Sequence, residues 1–288
     1  MTRRQFGVST HLFHHERLCR DHLLAIAAHG FETVEVFATP SHFDYRNVAA
    51  VADLQQWLAE AGLELHGTHA PVAERYENGR WSGLLSIASA EAEERVRAVR
   101  EAEQALHIAR RIPTKVLVTH LGLPDGPDRR ALPADSRASA RRSIEELVGL
   151  AAPLGVRVVV EVIPNELSRA GSLVHFIEED LDVAEELKAD AGVCLDFGHA
   201  HLAGDLVDAI ETLAEHLITT HVHDNRGRHD DHLVPLEGTI DWPSALTAVQ
   251  KVGYDGPFVF EIAAHGSSKA TLARARTARA KLERMLAQ

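Results

Sequence analysis

Residues 156–162 read VRVVVEV, an apolar run of strand length that closes on a carboxylate, Glu161. Under the period-two alternation of a strand, Val159 and Glu161 share a face. A carboxylate ending an apolar strand is costly to bury unless something pairs with it. Either an Arg or Lys neutralises it, or it is a ligand. The same grammar recurs on both sides of this run. Upstream, LELHGTHAP (63–71) carries His69 and KVLVTHLG (115–122) carries His120. Downstream, AGVCLDFGHAH (191–201) carries Asp196 and His199, and LITTHVHDN (217–225) carries His221. Asp230 and His232 follow in DDHL, and Glu261 closes GPFVFEI (256–262).

Each run is short, rich in Val, Ile or Leu, and followed by a helical pattern, which is the rhythm of βα units. Strands are expected at Phe6–Thr10, Thr33–Phe37, Leu63–His69, Lys115–His120, Val156–Val162, Gly192–Phe197, Leu217–His223 and Pro257–Ile262. Helices are expected at Asp21–His29, Val48–Glu60, Ala90–Arg111, Ser136–Ala152, Leu181–Lys188, Leu206–His216, Pro243–Val252 and Lys269–Leu286. Gly30, Gly62, Gly155, Gly192 and Gly253 stand where helix exits are expected, and Asp241-Trp242-Pro243 has the form of a helix start. Pro124–Pro133 reads as a loop. Eight alternations without a linker predict one α/β domain over residues 1–288, a single (β/α)8 TIM barrel rather than an open doubly wound sheet. No GxGxxG follows the first strand, which weakens a dinucleotide-binding reading.

Composition agrees with an enzyme of this kind. The 288 residues are 45% apolar and 25% charged, ordinary values for a globular domain. The formal net charge is −12 with no long basic run, which disfavours nucleic acid as a partner. No run approaches a membrane span, and the start, MTRRQFGVSTHLF, lacks the apolar stretch of a signal peptide, so no membrane association and a cytoplasmic location are expected. Cys19 and Cys194 offer no disulfide framework, and Cys194 reads as a core residue. Whether the chain forms a homo-oligomer is left open.

In a closed parallel barrel the carboxyl ends of all strands meet on one face, so the acidic and histidine residues above converge there. Taken singly, each has a blander reading. Asp196 could cap the turn that follows it. His199 and His201 compete for one role, with His199 placed in a loop, and either His221 or His223 could be a hydrogen-bonded core histidine. Asp230, Asp231 and His232 could be a solvated charge cluster. Taken together, imidazoles and carboxylates at the same end of successive strands point to a divalent-metal site.

These residues resemble those of the xylose-isomerase-like barrel superfamily, which includes the apurinic endonucleases of the endonuclease IV type (AP endonuclease family 2) and many sugar isomerases and epimerases. The resemblance covers nearly the whole chain. It implies metal ligands at His69, His120, Glu161, Asp196, His199, His221, Asp230, His232 and Glu261. His69 and His120 would hold one ion with Glu161. Glu161, Asp196, His221 and Glu261 would hold a second, and His199, Asp230 and His232 a third. The string DDHLVPLEGTIDW (230–242) is similar to the endonuclease's Asp-x-His segment and the Gly-x-Gly-x-Ile stretch after it, with Leu236 where the first Gly would stand. Around these ligands, VIPNELSRAG and DFGH depart from the repair enzymes, and His223 replaces an Asn. The flanking text is closer to proteins of the sugar phosphate isomerase/epimerase type.

The resemblance therefore implies a sugar or sugar phosphate isomerase or epimerase working by proton transfer through an enediolate. Glu161 and Glu261 would be its base and acid, and His199, His223 and Arg226 would contact a small-molecule sugar or phosphorylated substrate. Zn or Mn is the first expectation for the metal, Mg or Co the next, with room for more than one ion per chain. The alternative is a multi-zinc phosphodiesterase or phosphatase. The segment AERYENGRWSG (73–83), read as a loop after the third strand, with Arg75, Tyr76, Arg80 and Trp81, is expected to cover the substrate in either case. A metal-dependent binding module without catalysis is the least supported class.

Overall fold

The computed structural model describes residues 4–123 and 135–287, so the Pro124–Pro133 loop lies outside the described residues. Among the described residues ten strands form: β1 (Phe6–Ser9), β2 (Thr33–Phe37), β3 (Glu64–His69), β4 (Ala73–Glu77), β5 (Arg80–Leu84), β6 (Val116–Thr119), β7 (Arg157–Glu161), β8 (Ala191–Asp196), β9 (Leu217–His221) and β10 (Phe258–Phe260). Eight of them close into a barrel in the order β1-β10-β9-β8-β7-β6-β3-β2. Every barrel pairing in the register is parallel. The remaining two, β4 and β5, form a separate antiparallel pair. The helices are α1 (Arg20–Ala28), α2 (Val48–Ala61), α3 (Ala92–Leu106), α4 (Ser136–Ala151), α5 (Ala170–His175), α6 (Phe197–Ala203), α7 (Leu206–Thr212), α8 (Trp242–Lys251) and α9 (Ser268–Leu286). This is the expected (β/α)8 barrel.

The strand alternation explains which residues reach the site. Val158 and Val160 of β7, and Val193 and Leu195 of β8, join the large core between barrel and helices. Val159 and Cys194 instead join a small cluster with Val116 and Val118 of β6 inside the barrel. Glu161 shares parity with Val159, and Asp196 with Cys194, so both enter the interior at its carboxyl end.

The structure corrects several local expectations. The segment Leu181–Lys188 is not a regular helix. α5 runs on as a π-turn over Phe176–Asp180, and a 3-10 segment covers Glu185–Asp190. Gly192 is no helix exit but a residue of β8, where a Cβ would lie 2.1 Å from Ile218 Cδ1. His199 lies in α6 rather than in a loop. The stretch 73–83 is a hairpin whose two-residue turn, Asn78-Gly79, has φ of 52° and 76°. Asn-Gly favours the left-handed backbone such turns require. Two expectations hold plainly. Gly62 and Gly155 end helical segments at φ 65° and 68°, and Asp241 caps α8 by accepting from the Ser244 amide at 3.3 Å.

Candidate metal centre

At the carboxyl end of the barrel, Glu161, Asp196, His221 and Glu261 each offer an atom to a group lying within 4.8 Å of one another, and all four are buried. They come from the ends of β7, β8 and β9 and from the residue just after β10. His69 and His120 join Glu161 in a second group that meets the same limit. The third group contains His199, Asp230 and His232, and the structure adds His223 to it. All nine anticipated ligand positions thus fall into these three groups, and two of the groups share Glu161.

The two competing histidine pairs resolve differently. His199 enters the site, whereas His201 lies outside the groups and contacts Thr239 Oγ1 at 2.9 Å. His221 and His223 both enter, in different groups. Asp196 takes the capping role weighed for it and also faces the central group. Its Oδ1 accepts from the His199 amide at 2.6 Å, capping α6, and its Oδ2 is buried without a hydrogen-bond partner. Gly198 leaves space for the neighbouring ring, since a Cβ there would lie 2.0 Å from His223 Cε1. Arg226 is 63% exposed and pairs with Asp231 at 3.8 Å, outside the three groups.

The loop carrying Asp230 and His232 is pinned by Asp224, a buried residue not singled out in the sequence. Its carboxylate accepts from the amides of Asn225, Leu236 and Ile240 and from the Trp242 indole N–H at 2.9–3.2 Å. Leu236 sits at φ 74° and His232 at φ 45°, left-handed conformations that a side chain makes costly. Holding them falls to this network.

Hydrogen bonds fix which ring nitrogen of each histidine faces the site. A backbone carbonyl can only accept, so the nitrogen beside it carries the proton. Nδ1–H donates to Ala70 O from His69 at 2.8 Å, to Val162 O from His199 at 3.0 Å, and to Glu261 O from His232 at 2.7 Å. The opposite Nε2 atoms then face Glu161 Oε2 at 3.1 Å for His69, and Asp230 Oδ2 at 3.0 and 3.1 Å for His199 and His232. In the neutral ring each of these is a lone pair aimed at a carboxylate oxygen. Only a proton or a metal cation between the two makes that arrangement favourable.

Electrostatics express the same demand. Burial opposes charge on His199 and His221, yet the surrounding carboxylates raise both well above the usual imidazole range. Burial also opposes charge on His232, but Asp230 lifts it to about 10. Conversely, burial pushes Glu161 up, while His221 and His120 hold it well below the usual carboxylate range. Among the described residues, no hydrogen bond or ion pair from Arg or Lys reaches Glu161, Asp196, Asp230 or Glu261. Their close partners are histidines. Glu161 Oε1, Asp196 Oδ2, His221 Nδ1 and His223 Nε2 are buried with no hydrogen-bond partner. Buried polar atoms of mixed N and O chemistry, unpaired and converging, fit a divalent cation.

Two further features escaped the sequence reading. Glu35 of β2 is buried, with Oε2 3.0 Å from His221 Nε2. The signal was present in TVEVF, a carboxylate inside a strand instead of at its end. The second is the pair His11 and His14, which joins the anticipated Trp81 and Tyr76 in a ring-lined rim. Trp81 of the hairpin stacks on His14 at 5.3 Å, and His14 stacks on His11 at 4.6 Å. His11 in turn lies 4.8 Å from His232. Tyr76 packs edge-on to His14 at 4.4 Å, while Arg75 and Arg80 are exposed.

Comparison with known proteins agrees with this architecture. An uncharacterized protein of Methanocaldococcus jannaschii is 26% identical over 264 residues, covering 89% of this chain and 83% of that protein. An inosose isomerase of Bacillus velezensis is 20% identical over 235 residues, covering 79% and 77%. Among solved structures, a D-tagatose 3-epimerase-like protein superposes with a TM-score of 0.79 at 23% identity, covering 98% of each chain. Residues 23–287 match the family described as xylose isomerase-like TIM barrel, and the chain belongs to that family.

Proposed function

We propose that this chain is a divalent-metal-dependent sugar isomerase or epimerase that moves a proton at a carbon beside a carbonyl. The observation that carries the reading is the convergence of Glu161, Asp196, His221 and Glu261 on one point at the carboxyl end of the barrel. The names of the related inosose isomerase and D-tagatose 3-epimerase-like protein support the substrate class. Those four residues would hold the central ion. When bound, Zn²⁺ or Mn²⁺, or else Mg²⁺ or Co²⁺, supplies polarisation of neighbouring hydroxyl and carbonyl oxygens and stabilises the developing enediolate.

The chain's own residues do the rest. Glu161 and Glu261 approach from different strands and move the substrate proton as base and acid. The rim of Trp81, Tyr76 and His14 offers ring faces to the C–H face of a sugar. Arg226, exposed beside the outer group, would draw in a phosphorylated substrate. The outer group, His199, Asp230 and His232 with His223 added, would hold a second ion, and a set of four protein donors suits a structural role. His199 and His223 would then serve that ion instead of contacting substrate directly.

The test is solvent isotope exchange. In D₂O with Mn²⁺, the purified chain is incubated with a panel of ketoses, ketose phosphates and cyclic keto-polyols. Deuterium entering at the carbon beside the carbonyl of at least one substrate supports the reading. Absence of exchange across the panel in metal-replete protein counts against it.

One observation favours a second reading, a multi-metal phosphodiesterase or phosphatase: the three groups adjoin one another and two share Glu161. Clustered ions can position a phosphate and generate hydroxide. Metal-dependent hydrolysis of bis-p-nitrophenyl phosphate, or incision of DNA bearing an abasic site, without any isotope exchange would promote it.

A further inference from the structure

We infer that Glu35 is a positioning residue for the central ion, acting through His221. The inference rests on the central group holding a divalent cation. The two side chains cross the barrel interior from β2 and β9, strands that are not neighbours in the barrel. Glu35 Oε2 and His221 Nε2 are 3.0 Å apart, and both side chains are at most 1% exposed. Both ring nitrogens face carboxylates, but Nε2 makes a hydrogen bond and Nδ1 makes none, which assigns the proton of the neutral ring to Nε2, donating to Glu35. That leaves the His221 Nδ1 lone pair facing Glu161 Oε2 at 3.2 Å and Glu261 Oε2 at 3.4 Å.

His221 differs here from the other site histidines. His69, His199 and His232 are each oriented by a backbone carbonyl, a neutral acceptor. His223 Nδ1 likewise lies 3.4 Å from a carbonyl, Asp224 O, and His120 hydrogen-bonds to Glu161, a member of its own group, so among the described site histidines His221, the one imidazole of the central group, is the one oriented by a carboxylate from outside the three groups. A charged acceptor polarises the ring further and makes the opposite nitrogen a stronger donor to a metal. The arrangement is also expensive. Glu35 Oε1 is buried with no hydrogen-bond partner, and Glu35 adds a negative charge beside the buried Glu161 and Glu261. As a device for fold stability alone it is a poor one, because replacing a buried ion pair by apolar packing is often neutral or stabilising. A metal ligand that must be neutral, correctly tautomeric and electron-rich gives the cost a reason.

The experiment uses the full chain, stripped with chelator and titrated with Co²⁺ alone, for wild type, Glu35→Gln and Glu35→Asp. Affinity is read by calorimetry and coordination by the visible d–d spectrum. Thermal melting without metal controls for the fold. Wild type is expected to bind Co²⁺. Glu35→Gln should weaken one equivalent by roughly 10–100-fold, with a changed spectrum and an unchanged or raised melting temperature in the metal-free state. Glu35→Asp keeps the charge and should recover part of the affinity that Gln loses. Equal Co²⁺ affinity and spectrum in wild type and Glu35→Gln would overturn the role of Glu35 while leaving the metal reading intact. Failure of wild type itself to bind Co²⁺ would overturn both.

Discussion

The Nδ1 of His221 lies 3.2 Å from Glu161 Oε2 and makes no hydrogen bond, while Nε2 on the far side of the ring hydrogen-bonds to Glu35. Two electron-rich atoms held this close need a cation. The double variant Asp196→Ala/Glu261→Ala removes two of the four central donors and should abolish retention of the central ion. Elemental analysis after desalting reads this directly. His201→Ala, outside the three groups, should keep wild-type content.

Metal removal should destabilise the fold, because the sites gather buried carboxylates that only the folded chain brings together. An ion present at a hundred times its dissociation constant contributes about 2.7 kcal/mol. For a domain of this size that corresponds to a melting temperature roughly 5–10 °C higher than in chelator. Differential scanning calorimetry with Mn²⁺ and with EDTA checks it, and superimposed transitions would count against binding.

Acid sensitivity has a source outside the metal site. His42 donates from Nδ1 to Glu16 O at 2.6 Å, and burial pushes its pKa down to about 4. A folded-state pKa below the unfolded value means that the unfolded chain takes up the proton first. The stability His42 contributes is therefore complete above about pH 6.5 and is lost as pH falls from there toward 4, to a total of roughly 3 kcal/mol. His42→Gln should cost about 1 kcal/mol at pH 8 and should flatten this part of the acid limb. Urea melts between pH 8 and pH 4.5 measure it. Parallel pH profiles for wild type and variant would refute the assignment.

The hairpin should act on substrate and leave the fold alone. Trp81 contacts His14, Phe37 and Tyr76 at ring distances of 5.3, 5.9 and 4.6 Å. Trp81→Ala removes a stacking face worth about 0.5–1.5 kcal/mol, so the catalytic efficiency of isotope exchange should fall by up to roughly tenfold. Metal content should not change. A loss of metal in this variant would show that the hairpin supports the centre and does not serve the substrate.

The barrel was legible because parallel strands buried on both faces are near-continuous apolar runs, and VRVVVEV is unambiguous in that respect. The convergence of Glu161, Asp196, His221 and Glu261 was legible because each ends or directly follows such a run, where an acid or imidazole has no reason to sit unless the strand ends converge. Glu35 was not, since one carboxylate within TVEVF marks no strand end, and its partner is 186 residues away. Sequence parity alone could not separate His223 from His221, and the structure places the two in different groups. The break in Leu181–Lys188 was hidden by ordinary helical composition, since tertiary packing decides where such a segment winds. The hairpin had its signal in Asn78-Gly79, between Tyr76 and Trp81, and the loop reading passed over it.

Anomalous diffraction from crystals grown with Mn²⁺ or Zn²⁺ tests the metal centre most directly. A peak is expected within coordination distance of Glu161, Asp196, His221 and Glu261, and a second among His199, His223, Asp230 and His232. Metal-replete crystals with no peak between Glu161, Asp196, His221 and Glu261, and with imidazolium–carboxylate hydrogen bonds in its place, would contradict it.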